Sequence, residues 1–380
     1  MVRTRQSEKG MALMMSLGAI VIVGVLMGGV LFVTTQDYRI GGNTVRATRA
    51  IAAAELGLNR VPVDWNLADN NRLNAGDTLK KAYSAPGGAT ANVTITRLSG
   101  SFFWAVSEGY AGAMGSQASA RRRYGMLFRL DTPDIPFMGA LTGRGNILVG
   151  GSASVDGRDS VPAGWSGCPP KKDLAGIVMS DTTGGLKLPG CNSKSCIDGS
   201  PKFIQTAAAA DTSTYFVYGN STYQDLAATA NLVLAGGTTL NNLFPAAAGS
   251  VCVTSVQTNW GDLRRLIPAG ACESYFPIIH ALGDLHISTG MGQGILLVDG
   301  DLDMTGNFQF MGAIIVRGTL STYGTGAHIT GAVMAANVEL DQNTVLGNSS
   351  IQYSSCALGA VMNGSAYPKA AKRRAWVDLY

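Results

Sequence analysis

Three carboxylates stand at alternate positions in Val298-Asp299-Gly300-Asp301-Leu302-Asp303-Met304. Side chains two residues apart on a strand point the same way. Asp299, Asp301 and Asp303 therefore read as one oxygen-rich face, suited to calcium or to acid–base work. A helix–loop–helix calcium site wants glycine at the sixth loop position, where this stretch has Met304. The plainer reading is a turn and edge whose charge discourages strand addition. His280, His286 and His328, the three histidines, fall at no metal-ligand spacing. There is no Gly-x-Ser-x-Gly elbow and no P-loop. Gly290-Met-Gly-Gln-Gly runs into a strand-like segment and not into the helix start that a phosphate cradle needs. Catalytic residues: none are expected, and no cofactor or resident metal is called for beyond the calcium candidates. Arg121-Arg122-Arg123 could hold an anion, but in a strand they alternate sides, so a solvated edge is expected there.

Six cysteines, Cys168, Cys191, Cys196, Cys252, Cys272 and Cys356, all lie in the later part of the chain. They are disulfide candidates in an exported protein. Six cysteines allow 15 pairings; proximity in sequence favours Cys191–Cys196 and Cys252–Cys272. The paired Cys-x2-Cys spacing of a zinc site is absent.

The element that must position the rest is at the N-terminus. No charged residue occurs from Gly10 to Gln36. As a helix, Met11 to Val33 would be roughly 35 Å long, enough for a hydrocarbon core of ~30 Å. Arg3, Arg5 and Lys9 precede it against one acid, Glu8, which holds that short side in the cytoplasm. The apolar run is too long for a cleaved secretory signal, and TTQDYRIGG after it offers no small-residue cleavage site. Residues 34–61 continue as a helix past a soft point at Gly41-Gly42. Ala47, Ala50, Ile51, Ala54, Leu58 and Val61 recur at 3–4 spacing and give it one apolar face, and Pro62 is expected to end it.

The basic leader that ends in Gly10, directly before an apolar helix beginning at Met11, resembles the leader of type IV prepilins and type II secretion pseudopilins. The stretch RATRAIAAAELGLNR (46–60) resembles the N-terminal domain of PilX-type minor pilins. That resemblance implies cutting after Gly10 by a prepilin peptidase on the cytoplasmic face, and methylation of Met11. It implies partners in other pilin subunits and an inner-membrane assembly platform. It implies a single membrane pass with a cytoplasmic N-terminus, then the periplasm and a cell-surface pilus. In major pilins a glutamate stands at the fifth mature position and meets a neighbour's amine; here that position is Met15. This departure resembles the minor, tip-located members. Met15 and Glu55 are thus the filament-packing candidates, with helix support as the plainer role for Glu55.

The chain has 380 residues, 46% hydrophobic and 14% charged, with 49 glycines and a formal net charge of +4. Removing residues 1–10 takes away three cations and one anion, leaving +2. Such a near-neutral chain gives no electrostatic case for nucleic acid. Residues 65–86 read as a polar loop. Residues 91–98, 101–111 and 118–130 read as strands of a small antiparallel sheet packed on the apolar stripe. From Gly283-Asp-Leu-His-Ile, Gly300-Asp-Leu-Asp-Met and Gly318-Thr-Leu-Ser-Thr to Asn337-Val-Glu-Leu, a motif recurs at nearly equal steps. A step of about 18 residues is too short for a strand–helix–strand unit and suits one coil of a parallel β-solenoid. Residues 139–157 have the same texture and are expected to join the stack as an early coil.

The expected fold class is α+β with mostly β: a long N-terminal helix, a small antiparallel sheet, then a right-handed parallel β-solenoid with a disulfide-containing insertion. The divisions are 1–10 leader, 11–61 helix, 62–135 head sheet, 136–157 first coil, 158–276 insertion with a helix around 221–230, 277–356 solenoid and 357–380 basic tail, the tail read as a solvated end. The functional expectation is a minor pilin or pilus assembly protein at a tip or initiation complex. A membrane-anchored β-helix enzyme acting on polysaccharide, or an adhesin with a surface or glycan ligand, stays as an alternative.

Overall fold

The computed structural model describes residues 8–112, 119–166, 168–169, 171–180, 185–191, 195–219, 221–263, 270–337, 342–371 and 376–379, with residues 8–11 described by backbone alone. These form two compact units, the first from residues 8–64, 75–128 and 370–379, the second from 65–74 and 129–369.

The first unit is built on a single helix, Glu8–Val63. It runs unbroken through Gly41-Gly42 and one residue past Pro62. Pro62 stands in the last turn, where it forgoes the bond to the carbonyl of Leu58, and the helix stops one residue later, with Asp64 N–H still reaching Arg60 O at 2.9 Å. Ala50, Ala53, Ala54, Leu58 and Val61 are fully buried. They face an antiparallel sheet of strands Thr78–Ala85, Ala89–Arg97 and Phe102–Ala111, followed by Ala120–Asp131. Small residues let helix and sheet approach closely. A Cβ on Gly109 would stand 2.0 Å from Ala50 O, and one on Gly57 would stand 2.3 Å from Ser107 Oγ.

Two expectations are corrected here. Residues 65–86 are not all loop, because Thr78–Ala85 is the first strand; its side chains alternate between exposed and half-buried and none is fully buried, so it lacks the apolar alternation that marks a strand. The C-terminal tail is not a solvated end, because Trp376–Leu379 pairs antiparallel with Arg123–Met126. Arg123 is thereby no free edge residue, and the chain's own tail closes that side of the strand.

The second unit is a stack of parallel strands, in which the apolar runs read from the repeat are neighbours. Ile278 pairs with Ile295, Ile295 with Ala313 and Ala313 with Ala332, which is the spacing of the repeat. Strands buried on both faces account for their unbroken apolar character. A second parallel sheet runs Thr238–Leu240, Leu285–Ile287, Leu302–Met304, Leu320–Thr322, Gln342–Val345, Asn146–Val149 and Leu186–Lys187. The chain alternates between the two sheets. The fourth repeat differs from expectation. Asn337 does continue the turn column, its N–H on Gly318 O at 3.1 Å, but the strand that follows begins only at Gln342; residues 338–341 lie outside the described residues.

Stacking order does not follow chain order. Gly139–Gly143 pairs on one side with Ala327–Ala335 and on the other with Ala175–Met179, which pairs with Phe203–Gln205. At the opposite end lies Leu232–Leu234, next to Ile278–Ala281. Strand Gly139–Gly143 therefore sits beside a strand from the end of the repeat, and residues 158–276 are not an insertion: they supply strands at both ends of the stack. Residues 206–231 cross from one end to the other, with a short helix at Tyr223–Ala228 and with Tyr215, Tyr218 and Tyr223 buried. A ten-residue helix, Ser355–Gly364, covers the long strands with Ala357, Leu358 and Val361. Cys168 pairs with Cys356, Cys191 with Cys196 and Cys252 with Cys272.

Candidate membrane-spanning and helix-packing site

From Leu13 to Val33 every large apolar side chain of the long helix is at least half exposed, Met14 reaching 81% and Met15 71%. The apolar surface goes all the way round and has no polar face. A helix of this kind is unfavourable in water and needs lipid or other helices around it. Among the described residues it is the one helix long and apolar enough to cross a membrane. The few hydroxyls are satisfied within the helix. Ser16 Oγ donates to Leu13 O at 2.9 Å, Thr34 Oγ1 to Val30 O at 2.8 Å and Thr35 Oγ1 to Phe32 O at 2.8 Å. No hydroxyl proton among these three is left to be desolvated in hydrocarbon.

The helix already spans Gly10-Met11, since it begins at Glu8. Met15 lies within the apolar surface and brings no carboxylate to it. Glu55 is exposed on the face turned away from the sheet, where it lines a shallow groove with Ala52, Leu56, Asn59, Arg60 and Val63. The cation there is engaged elsewhere, Arg60 Nη1 standing 3.9 Å from Asp64 Oδ1.

The three aspartates do not converge. Asp301 Oδ1 accepts Thr319 N–H at 2.7 Å, and Asp284 Oδ1 accepts Asp301 N–H at 2.9 Å. The aspartate of the Gly-Asp repeat thus caps the turn of the next coil, and alternation fails because Gly300 and Asp301 form a corner between strands. Asp299 turns to the crossing segment. Its Oδ1 accepts Tyr223 OH at 3.0 Å and stands 3.5 Å from Arg317 Nη1, while its Oδ2 lies 2.9 Å from His280 Nε2. The Arg317 guanidinium also lies over the rings of Phe216 and Tyr223. Asp303 alone is on the outer side of its strand; burial, with Asp301 and Asp284 nearby, raises its pKa. Among the described residues no group of three or more His, Cys, Asp or Glu is placed to hold a metal.

Glu108, which the sequence did not single out, takes both Arg121 and Arg123, the latter at 2.9 Å, and the hydroxyl of Tyr110 at 2.6 Å. Its burial alone would raise the carboxyl pKa, but the hydrogen bonds from Tyr110 and Arg121 and the two positive charges outweigh that and lower it. The signal was the spacing: Arg121 and Arg123 are two apart on a strand and share a side.

No family model matches the chain. No curated protein matches it either. Among solved structures, the competence-associated pilin ComZ from Thermus thermophilus is similar over 88% of this chain and 96% of its own, at 12% identity and a TM-score of 0.28.

What remains is physical. The surface most out of place in water is the first half of the helix, from Leu13 to Val33. Its chemistry is burial, in lipid or among other apolar helices. The second half of the same helix is the core element of a folded sheet.

Proposed function

We propose that the chain is a minor pilin of the PilX type, anchored by its first helix in the inner membrane and later packed into a type IV pilus or pseudopilus. One observation carries the reading: the helix is apolar and exposed on every side from Leu13 to Val33, directly after a basic leader that ends at Gly10. Moving such a helix from lipid to a bundle of sister helices changes little in apolar burial, because the same surface is covered in both states. Processing would free the amine of Met11, with methylation to follow. Met15 in place of a glutamate leaves the chain without the carboxylate that neutralises a neighbour's amine, which favours a tip or initiation place over the shaft. We read the parallel sheets as a right-handed solenoid whose bulk suits the same place. This body is a structural or binding module on our reading, not an enzyme, since Asp299 and Asp301 are each engaged in holding the stack.

The test is Gly10→Ala in the native host. Processing is expected to stop, with the chain retained in the inner membrane and surface pili reduced or lost. N-terminal mass spectrometry of the wild-type protein should show a chain that begins at Met11. Unchanged pili with unchanged surface display of the variant would refute the reading.

A further inference from the structure

The chain enters the parallel stack at Gly139 and leaves it at Tyr353, and these ends are joined. Ser350–Gln352 pairs with Ser154–Asp156. Ser160 N–H and Oγ both donate to Tyr353 O, at 3.2 and 2.9 Å, and Ser354 Oγ donates to Ser160 O at 2.6 Å. The Asp159 carboxylate accepts Ser355 N–H and Ser355 Oγ, both at 2.7 Å, at the start of helix Ser355–Gly364. Next to this clasp the Cys168–Cys356 disulfide closes a loop of sequence separation 188, its Cα atoms 5.6 Å apart.

The path of the chain on either side gives this closure a consequence. Residues lead into the stack from strand Ala120–Asp131 and lead back to Trp376–Leu379, which pairs with that same strand. Residues 65–74 also belong to the unit that holds the stack, but a load carried along the chain beyond residue 100 reaches the stack through two tethers, one before Gly139 and one after Gly364. Unjoined, each tether could peel away the element it leads to, strand Gly139–Gly143 from its two neighbours or the helix from the sheet it covers. A covalent join stops peeling at Cys168 from one side and at Cys356 from the other. The remaining disulfides close loops of separation 5 and 20 inside the enclosed stretch and cannot do this.

We propose that the Cys168–Cys356 disulfide, seated by the Asp159–Ser355 clasp, is a mechanical stop that takes residues 169–355 out of the load path. Its use under pilus traction rests on the function proposed above, but the stop itself does not.

The test is force spectroscopy on the full chain in nanodiscs. One click-chemistry handle is placed in the exposed turn at Gly100 and the other at the C-terminal residue. The wild-type chain should reach a short final extension. Cys168→Ser with Cys356→Ser should extend further by roughly 57 nm, since of the 188 residues released the two remaining disulfides still close loops of 5 and 20, and the rest extend by about 3.5 Å each. Cys252→Ser with Cys272→Ser should keep the wild-type extension, because that loop is already shielded. Should the first double variant not fold, wild-type protein reduced in the trap supplies the comparison, with a gain of roughly 65 nm because all three loops then open at about 3.5 Å per residue. Full extension of the oxidised wild-type chain overturns the proposal, as does an unchanged short extension after loss of Cys168–Cys356, or a longer one after loss of Cys252–Cys272 alone. Failure of Gly10→Ala to affect pili would leave all three lengths as expected, so the two readings fail separately.

Discussion

At the scale of single residues the stack depends on a ladder of glycines. Gly294, Gly312 and Gly331 are register partners with φ of +122°, +143° and +148°. A Cβ on Gly312 would stand 2.0 Å from Gly294 O, and one on Gly331 would stand 1.9 Å from Gly312 O. Backbone strain alone at such a position costs about 1–3 kcal/mol, before any clash. Gly312→Ala should therefore lower the midpoint of thermal unfolding clearly, whereas Gly359→Ala, on a helix with open space at its Cβ, should be neutral or stabilising by up to about 1 kcal/mol. Asp159 gives a pH signature. Burial would raise its pKa, but the N–H groups of Ser355 and Lys171 and the Ser355 hydroxyl outweigh that and lower it. A folded pKa below the unfolded value of about 3.9 means stability present above that value and lost as pH falls through the folded one. Asp159→Asn should be less stable than wild type at neutral pH, with the gap in melting temperature narrowing as pH falls from about 5 to about 2. A gap that does not depend on pH would deny Asp159 this role.

The helix shows at the scale of elements how one segment serves two environments. Its C-terminal half buries Ala50, Ala53, Ala54, Leu58 and Val61 against the sheet while Glu55 stays outside. Leu58→Ala should cost about 2–5 kcal/mol of stability. Glu55→Ala should stay within about 0.5 kcal/mol, so any effect of that variant on filament assembly would report packing and not folding. Chemical denaturation of both variants beside a piliation assay separates the two. The apolar stripe was legible in the sequence because burial on one side of a helix leaves a 3–4 rhythm. Strand Thr78–Ala85 was not, because it buries no side chain fully and carries two adjacent lysines, Lys80 and Lys81, which break any apolar alternation. Trp376–Leu379 was hidden by its basic flank, and its pairing depends on a strand in a distant part of the sequence. The turn role of Asp301 was missed for a related reason: alternation holds within a strand and fails at a corner.

At the scale of the whole molecule the repeat announced the period of the stack but not its order. The short, nearly constant step is the offset at which each long strand pairs in parallel with the next. That Leu141 lies against Val333, and Val149 against Val345, follows from long-range pairing that no local pattern encodes. The order has a measurable consequence, because edge strands open more readily than strands with neighbours on both sides. In a stack wound in chain order, Gly139–Gly143 would be an edge and would exchange amide hydrogens early. Here it lies between Ala327–Ala335 and Ala175–Met179, and the edges of this sheet among the described residues are Ile197–Asp198, Phe203–Gln205 and Leu232–Leu234, all mid-chain. Hydrogen exchange followed by mass spectrometry on the full chain should find slow exchange in Gly139–Gly143 together with Phe308–Val316 and Ala327–Ala335. Phe203–Gln205 and Leu232–Leu234 should exchange faster by at least about tenfold, which corresponds to about 1.4 kcal/mol of local opening free energy. If Gly139–Gly143 exchanges as fast as those two, the early coil is not held between its neighbours, and the closure that Cys168–Cys356 is argued to lock has no stack on one side of it.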